Sequence, residues 1–124
     1  DRLRSRGLGD VYKRQVKDTV NQKNITIPEN EIIYAQADNI YAEVVTAQGI
    51  FLYSNKISLL VKKLNEEYFY RSNRSYIVNF NYIIGYSKKE IEFSNGQKAL
   101  ISSSKFKDFK SKYLNYLKRK SIGE

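Results

Sequence analysis

From residue 31 onward the chain alternates short runs of β-branched and aromatic residues with clusters of turn formers, the period of half-buried strands. Residues 31–37 and 40–46 flank Asp38-Asn39, whose short polar side chains tolerate turn dihedrals. Ala47-Gln48-Gly49 then leads into 50–54. This predicts a three-stranded meander. Residues 75–80, 82–87, 90–94 and 97–102 repeat the pattern, and Asn95-Gly96 is the strongest hairpin signal in the chain. Two segments change to helical spacing. In 56–65, Ile57, Leu60, Val61 and Leu64 fall at i, i+3, i+4 and i+7, with Lys62 and Lys63 on the opposite face. Near the C-terminus Phe106, Phe109, Tyr113, Tyr116 and Leu117 form a second stripe, expected to face the core, with Ser104 expected as its N-cap. The domain is therefore expected to be mainly β.

Composition narrows the function classes. With 124 residues, 41% of them hydrophobic, the chain has material for one domain and one modest core. It has no Cys and no His, so the usual zinc ligands, the commonest general base and the commonest nucleophile–base pairs are missing. Ser102-Ser103-Ser104 suits helix capping and phosphate contact better than nucleophilic catalysis. The expected protein is not an enzyme and carries no cofactor or metal. No apolar run reaches the roughly 20 residues of a membrane span, which leads to the expectation of a cytoplasmic fragment without membrane contact.

The formal charge of +9 points to a polyanionic partner. Residues 1–15 resemble translated sequencing-adapter DNA, most specifically over 10–15. A basic disordered arm is the alternative, and the domain is taken as 16–120 with a tail at 121–124. If the adapter reading holds, any upstream receiver or sensor domain is missing from the chain. The segment 1–15 holds five Lys/Arg and two Asp, so the remainder keeps 17 cations against 11 acids, net +6. Between Lys98 and Lys120 there are eight Lys/Arg against one acid, interleaved with Phe and Tyr. Such a helix either neutralises phosphates or is simply a solvated basic face.

Polar groups interrupt an apolar strand pattern in the middle of Phe69-Tyr70-Arg71-Ser72-Asn73-Arg74-Ser75-Tyr76-Ile77-Val78-Asn79. Arginine pairs bidentately with guanine and asparagine with adenine, so Asn73-Arg74 is chemically suited to base reading. The alternative is a loop in which Arg74 pairs with a nearby carboxylate.

The order of these features resembles the LytTR family over residues 24–118. The matching features are the strand and turn Glu31-Ile32-Ile33-Tyr34-Ala35-Gln36-Ala37-Asp38-Asn39-Ile40-Tyr41, the short helix, the eleven-residue motif of 69–79, the Asn-Gly hairpin, and the Ser-rich entry to the last helix. The resemblance implies an elongated, mainly β fold of several short antiparallel sheets with one short internal helix and a C-terminal helix. It also implies the output domain of a bacterial two-component response regulator that binds double-stranded DNA, commonly tandem promoter repeats, as a homodimer. Three loops would enter major grooves. Arg74 and Asn39 are expected near base edges, with Asn73 and Tyr41 as supplements. The loops are the Asp38 to Tyr41 turn, the Asn73-Arg74 pair, and Ser102 through Lys105, which includes Ser103 and Ser104; Ser102, Ser104, Lys105 and Lys107 are expected on phosphates. Arg71 is as well suited to supporting its loop through an ion pair. Two departures stand out: Asn73 replaces the family's usual His, and Ser103 replaces a frequent Arg, so base preference does not carry over. An RNA or single-stranded nucleic-acid-binding β domain and a non-catalytic interaction module are the competing readings.

Overall fold

The computed structural model describes the backbone of residues 13–18 and 23–123 and the side chains of residues 26–120. Ten strands run in chain order: β1 (Lys13–Asp18), β2 (Lys23–Pro28), β3 (Ile32–Asp38), β4 (Tyr41–Thr46), β5 (Gly49–Tyr53), β6 (Phe69–Asn73), β7 (Tyr76–Asn79), β8 (Ile83–Tyr86), β9 (Glu90–Phe93) and β10 (Lys98–Leu100). Helix α1 (Ile57–Lys63) separates β5 from β6, and α2 (Phe106–Gly123) closes the chain. The expected mainly β architecture with a short internal and a C-terminal helix is present, its strands gathered into two sheets. The larger has the order β2-β1-β5-β4-β3-β7-β6 and the smaller β10-β9-β8, antiparallel throughout.

The larger sheet is buried on both faces where it carries the core. A β-bulge between Ile32 and Tyr34 breaks the alternation of β3, so Ile32 and Ala35 face one core while the adjacent Ile33 and Tyr34 face the other. On the first face, Ile57, Leu60 and Leu64 of the α1 region pack on Val44, Phe51 and Ile77. This is the predicted helical stripe. Lys62 and Lys63 are exposed, as expected. On the second face the small sheet and α2 enclose Val45, Val78, Phe93 and Phe109, with Tyr34 and Phe93 stacked 5.0 Å apart.

The Asn95-Gly96 hairpin forms between β9 and β10. Gly96 N–H donates to the Phe93 carbonyl, and Phe93 N–H to that of Gln97, both at 2.9 Å. The tight turn therefore centres on Ser94-Asn95, and Gly96, with φ 87°, takes the left-handed position that a Cβ would disfavour.

Four expectations need correction. Ser104 lies inside a 3-10 turn, Ser103–Lys105, that runs straight into α2. The extended residue before it is Ser102, whose side chain makes no capping bond. Leu117 is 39% exposed, because the buried stripe steps from Tyr113 to Tyr116 and the next residue lies about 100° further round the helix. Of the polar groups taken to interrupt the 69–79 strand pattern, Arg71, Ser72 and Asn73 lie within strand β6, and only Arg74 and Ser75 form the turn to β7. Residues 13–15, read with 1–12 as adapter-derived or a disordered arm, pair with 26–28 in the β1–β2 ladder. Residues 1–12 lie outside the described residues, and the boundary drawn at 15 falls within β1.

Candidate nucleic-acid interface

Three loops are joined side by side by backbone and side-chain hydrogen bonds. The first is the two-residue turn between β3 and β4, closed by the Asp38–Tyr41 pair. Asn39 adopts φ 62°, a left-handed conformation that asparagine tolerates better than most residues. Asn39, Ile40 and Tyr41 are all exposed. The second is the turn between β6 and β7, closed by Asn73 and Tyr76, with Arg74 exposed at its tip. Ala37 N–H donates to the Ser75 carbonyl at 2.8 Å, tying the end of β3 to this turn. The third is the 102–105 segment.

The second and third loops are bound more closely. Ser72 is fully buried, and its hydroxyl donates to the Leu100 carbonyl at 2.8 Å, while Ser102 N–H donates to the Ser72 carbonyl at 2.8 Å. Asn73 adds a bond from its Nδ2 to the Ser102 hydroxyl at 3.3 Å, and its Oδ1 accepts from Ser75 N–H at 2.9 Å. The Arg71 guanidinium donates to the Arg74 carbonyl at 2.5 Å. Arg71 thus supports the loop through a carbonyl instead of the expected ion pair. Among the described residues no carboxylate pairs with Arg74, and Lys98–Glu90 forms an ion pair elsewhere, at 3.3 Å.

A latch holds the start of α2 against β6. The Tyr70 hydroxyl donates to Asp108 at 2.8 Å, and the Lys105 ammonium lies 5.9 Å over the Tyr70 ring. Burial, then the Asp108 carboxylate, pushes the Tyr70 phenol far above its ordinary range. Asp108 is the one acid in the first turn of α2, a position favoured by the helix dipole. Ser103, Ser104, Lys105 and Lys107 are exposed around it, and Ser102 is half-buried. At the far end of β6 the fully buried Glu29 accepts from Asn65 N–H at 3.2 Å and from the Tyr68 hydroxyl at 3.0 Å. Burial and that carboxylate push the Tyr68 phenol up to about 12.

The expected site residues therefore fall on or at the edges of three connected loops, except Lys107, which lies in the first turn of α2. Ser72 and the Tyr70–Asp108 latch were not singled out from sequence, although Ser72 was one of the polar groups requiring satisfaction within the 69–79 motif. Replacing Ser72 with Ala removes the hydroxyl and leaves the Leu100 carbonyl without that donor. The expected loss is about 1 kcal/mol of folding stability, read as a lowered urea midpoint with an unchanged slope. A midpoint equal to that of the unmutated protein would remove Ser72 from the bridge.

Comparison with known proteins decides which family the chain belongs to. The sequence model of the LytTr DNA-binding domain matches residues 22–114. The chain belongs to the LytTR family of DNA-binding domains. A solved structure from Bacillus cereus, described as the LytTr DNA-binding domain of a methyl-accepting/DNA response regulator, superposes with a TM-score of 0.70 and 22% sequence identity. The match covers 86% of this chain and 98% of that one. Curated protein sequences give no significant match. As a LytTR domain the chain has DNA as its partner, and its mainly β fold is that of the solved relative. No helix among the described residues is long and apolar enough to cross a membrane.

Proposed function

We propose that this LytTR domain binds double-stranded DNA sequence-specifically, as the output domain of a bacterial transcription regulator of two-component type, with its three loops directed into major grooves. The observation that carries this reading is the hydrogen-bonded array of the β3–β4 turn, the β6–β7 turn and the 102–105 segment. Loops pinned in this way present side chains at fixed spacing, which sequence reading requires because base edges are discriminated by hydrogen-bond geometry. Arg74 is the principal base reader, with Asn39 beside it and Tyr41 offering apolar contact. Ser102, Ser104, Lys105 and Lys107 contact phosphates, which set register and add affinity without reading sequence. Tandem promoter repeats are the proposed target, bound by two copies, in a cytoplasmic setting.

Competition at fixed salt tests the choice of nucleic acid. A labelled duplex carrying the preferred site is expected to resist displacement by single-stranded DNA and by RNA of the same sequence. More effective displacement by either would favour a single-strand or RNA binder. The phosphate role has its own test. Lys105→Ala is expected to weaken preferred and random duplexes alike and to lower the salt slope by roughly one unit. An unchanged salt slope would take Lys105 off the phosphates.

A further inference from the structure

Asn73 offers an amide of the type that reads adenine, but the structure engages each of its ends within the protein, which fixes the orientation of the amide. A bidentate pair with adenine uses the side-chain oxygen as acceptor and the side-chain nitrogen as donor. At Asn73 the oxygen already accepts from Ser75 N–H at 2.9 Å, and the nitrogen donates to the Ser102 hydroxyl at 3.3 Å. The amide orientation follows from chemistry, because Ser75 N–H requires an acceptor and so turns the nitrogen toward Ser102. The contact reaches 29 residues along the chain, from the β6–β7 turn to the entry of α2.

From this geometry we propose that Asn73 is a positioning residue, coupling the β6–β7 turn to the 102–105 segment through Ser102 so that both loops meet DNA in one fixed arrangement. The inference rests on the DNA-binding reading above and adds to it a division of labour between adjacent residues. Arg74 reads while Asn73 holds. The Ser102 hydroxyl uses a lone pair for Asn73 and keeps its own hydrogen for a phosphate oxygen. The Lys105 N–H, which donates to the Ser102 carbonyl at 2.9 Å, carries the constraint to the first cation of the segment.

A double-mutant cycle tests the coupling on the whole chain, with Asn73→Ala, Ser102→Ala and the pair measured against the preferred duplex. Each single change is expected to weaken binding on the order of three- to tenfold. Asn73→Ala made in the Ser102→Ala background is expected to add at most about twofold, since the partner it works through is gone. The base preference at every position of the site stays unchanged. Multiplying effects, or a relaxed preference at one base in Asn73→Ala alone, would overturn the proposal in favour of direct reading. Hydrogen exchange of the Lys105 amide supplies a readout without DNA. Faster exchange in Asn73→Ala supports the coupling even if the unmutated protein selects no duplex, an outcome that would count against the DNA-binding reading alone. Exchange that ignores the substitution would overturn the coupling itself.

Discussion

Replacing Phe109 with Ala is expected to remove about 3 to 5 kcal/mol of stability, the range for deleting a fully buried phenyl ring. Phe109 is 0% exposed and lies within 5.4 to 6.0 Å of the rings of Tyr86, Tyr70, Tyr113 and Phe80. The cavity would open where α2 meets both sheets. Because small domains are stable by only about 5 to 15 kcal/mol, the variant would sit near its unfolding limit and is best measured in the cold. Leu117→Ala, on the exposed side of the same helix, is the matched comparison and is expected to change stability by no more than about 0.5 kcal/mol. Urea unfolding of the two variants checks the prediction. Equal midpoints would mean that α2 is not held by its Phe109 face.

The second large effect concerns recognition. Arg74→Ala is expected to weaken binding to the preferred duplex by about 1 to 3 kcal/mol, the cost of losing one bidentate base contact, and to relax the preference at one position. Random duplex should lose much less. The expectation follows from geometry. Arg74 is exposed at the tip of the β6–β7 turn, its carbonyl is gripped by Arg71, and no carboxylate among the described residues competes for its guanidinium. Titrations of preferred and random duplexes at one salt concentration separate the two losses. An equal loss on both would make Arg74 a phosphate contact, and its base-reading role would pass to Asn39 or another loop residue.

How far the sequence anticipated this structure differs by element, for physical reasons. Elements with their own periodicity were legible. The α1 stripe of Ile57, Leu60 and Leu64 and the Asn95-Gly96 hairpin are local signals, and both appear in the fold. The meander of β3 to β5 was equally visible, because sequential strands with short turns pair with one another. The pairing of β3 with β7 and the insertion of β1 between β2 and β5 join distant segments, and no local pattern announces them.

Strand β6 was hidden for a different reason. Arg71, Ser72 and Asn73 make it read as an interruption, yet these polar groups are satisfied from outside the strand, by Arg74, Leu100 and Ser102. The same long-range bonds explain why the grouping of the site residues became visible only in the fold. Chemistry suitable for reading bases could be seen in Asn73-Arg74, whereas the commitment of Asn73 to Ser102 depends on where the chain returns 29 residues later. The bulge in β3 similarly sends the neighbours Ile33 and Tyr34 to one face, against simple alternation.

The most direct test of the central claim is selection from a random duplex library by this chain at fixed salt, followed by sequencing of the bound fraction. Enrichment of a short motif, repeated in tandem, is expected, with at least one position whose preference relaxes in Arg74→Ala. Retention of duplexes without any enriched motif would contradict the claim, leaving a basic LytTR domain that holds DNA through phosphates alone.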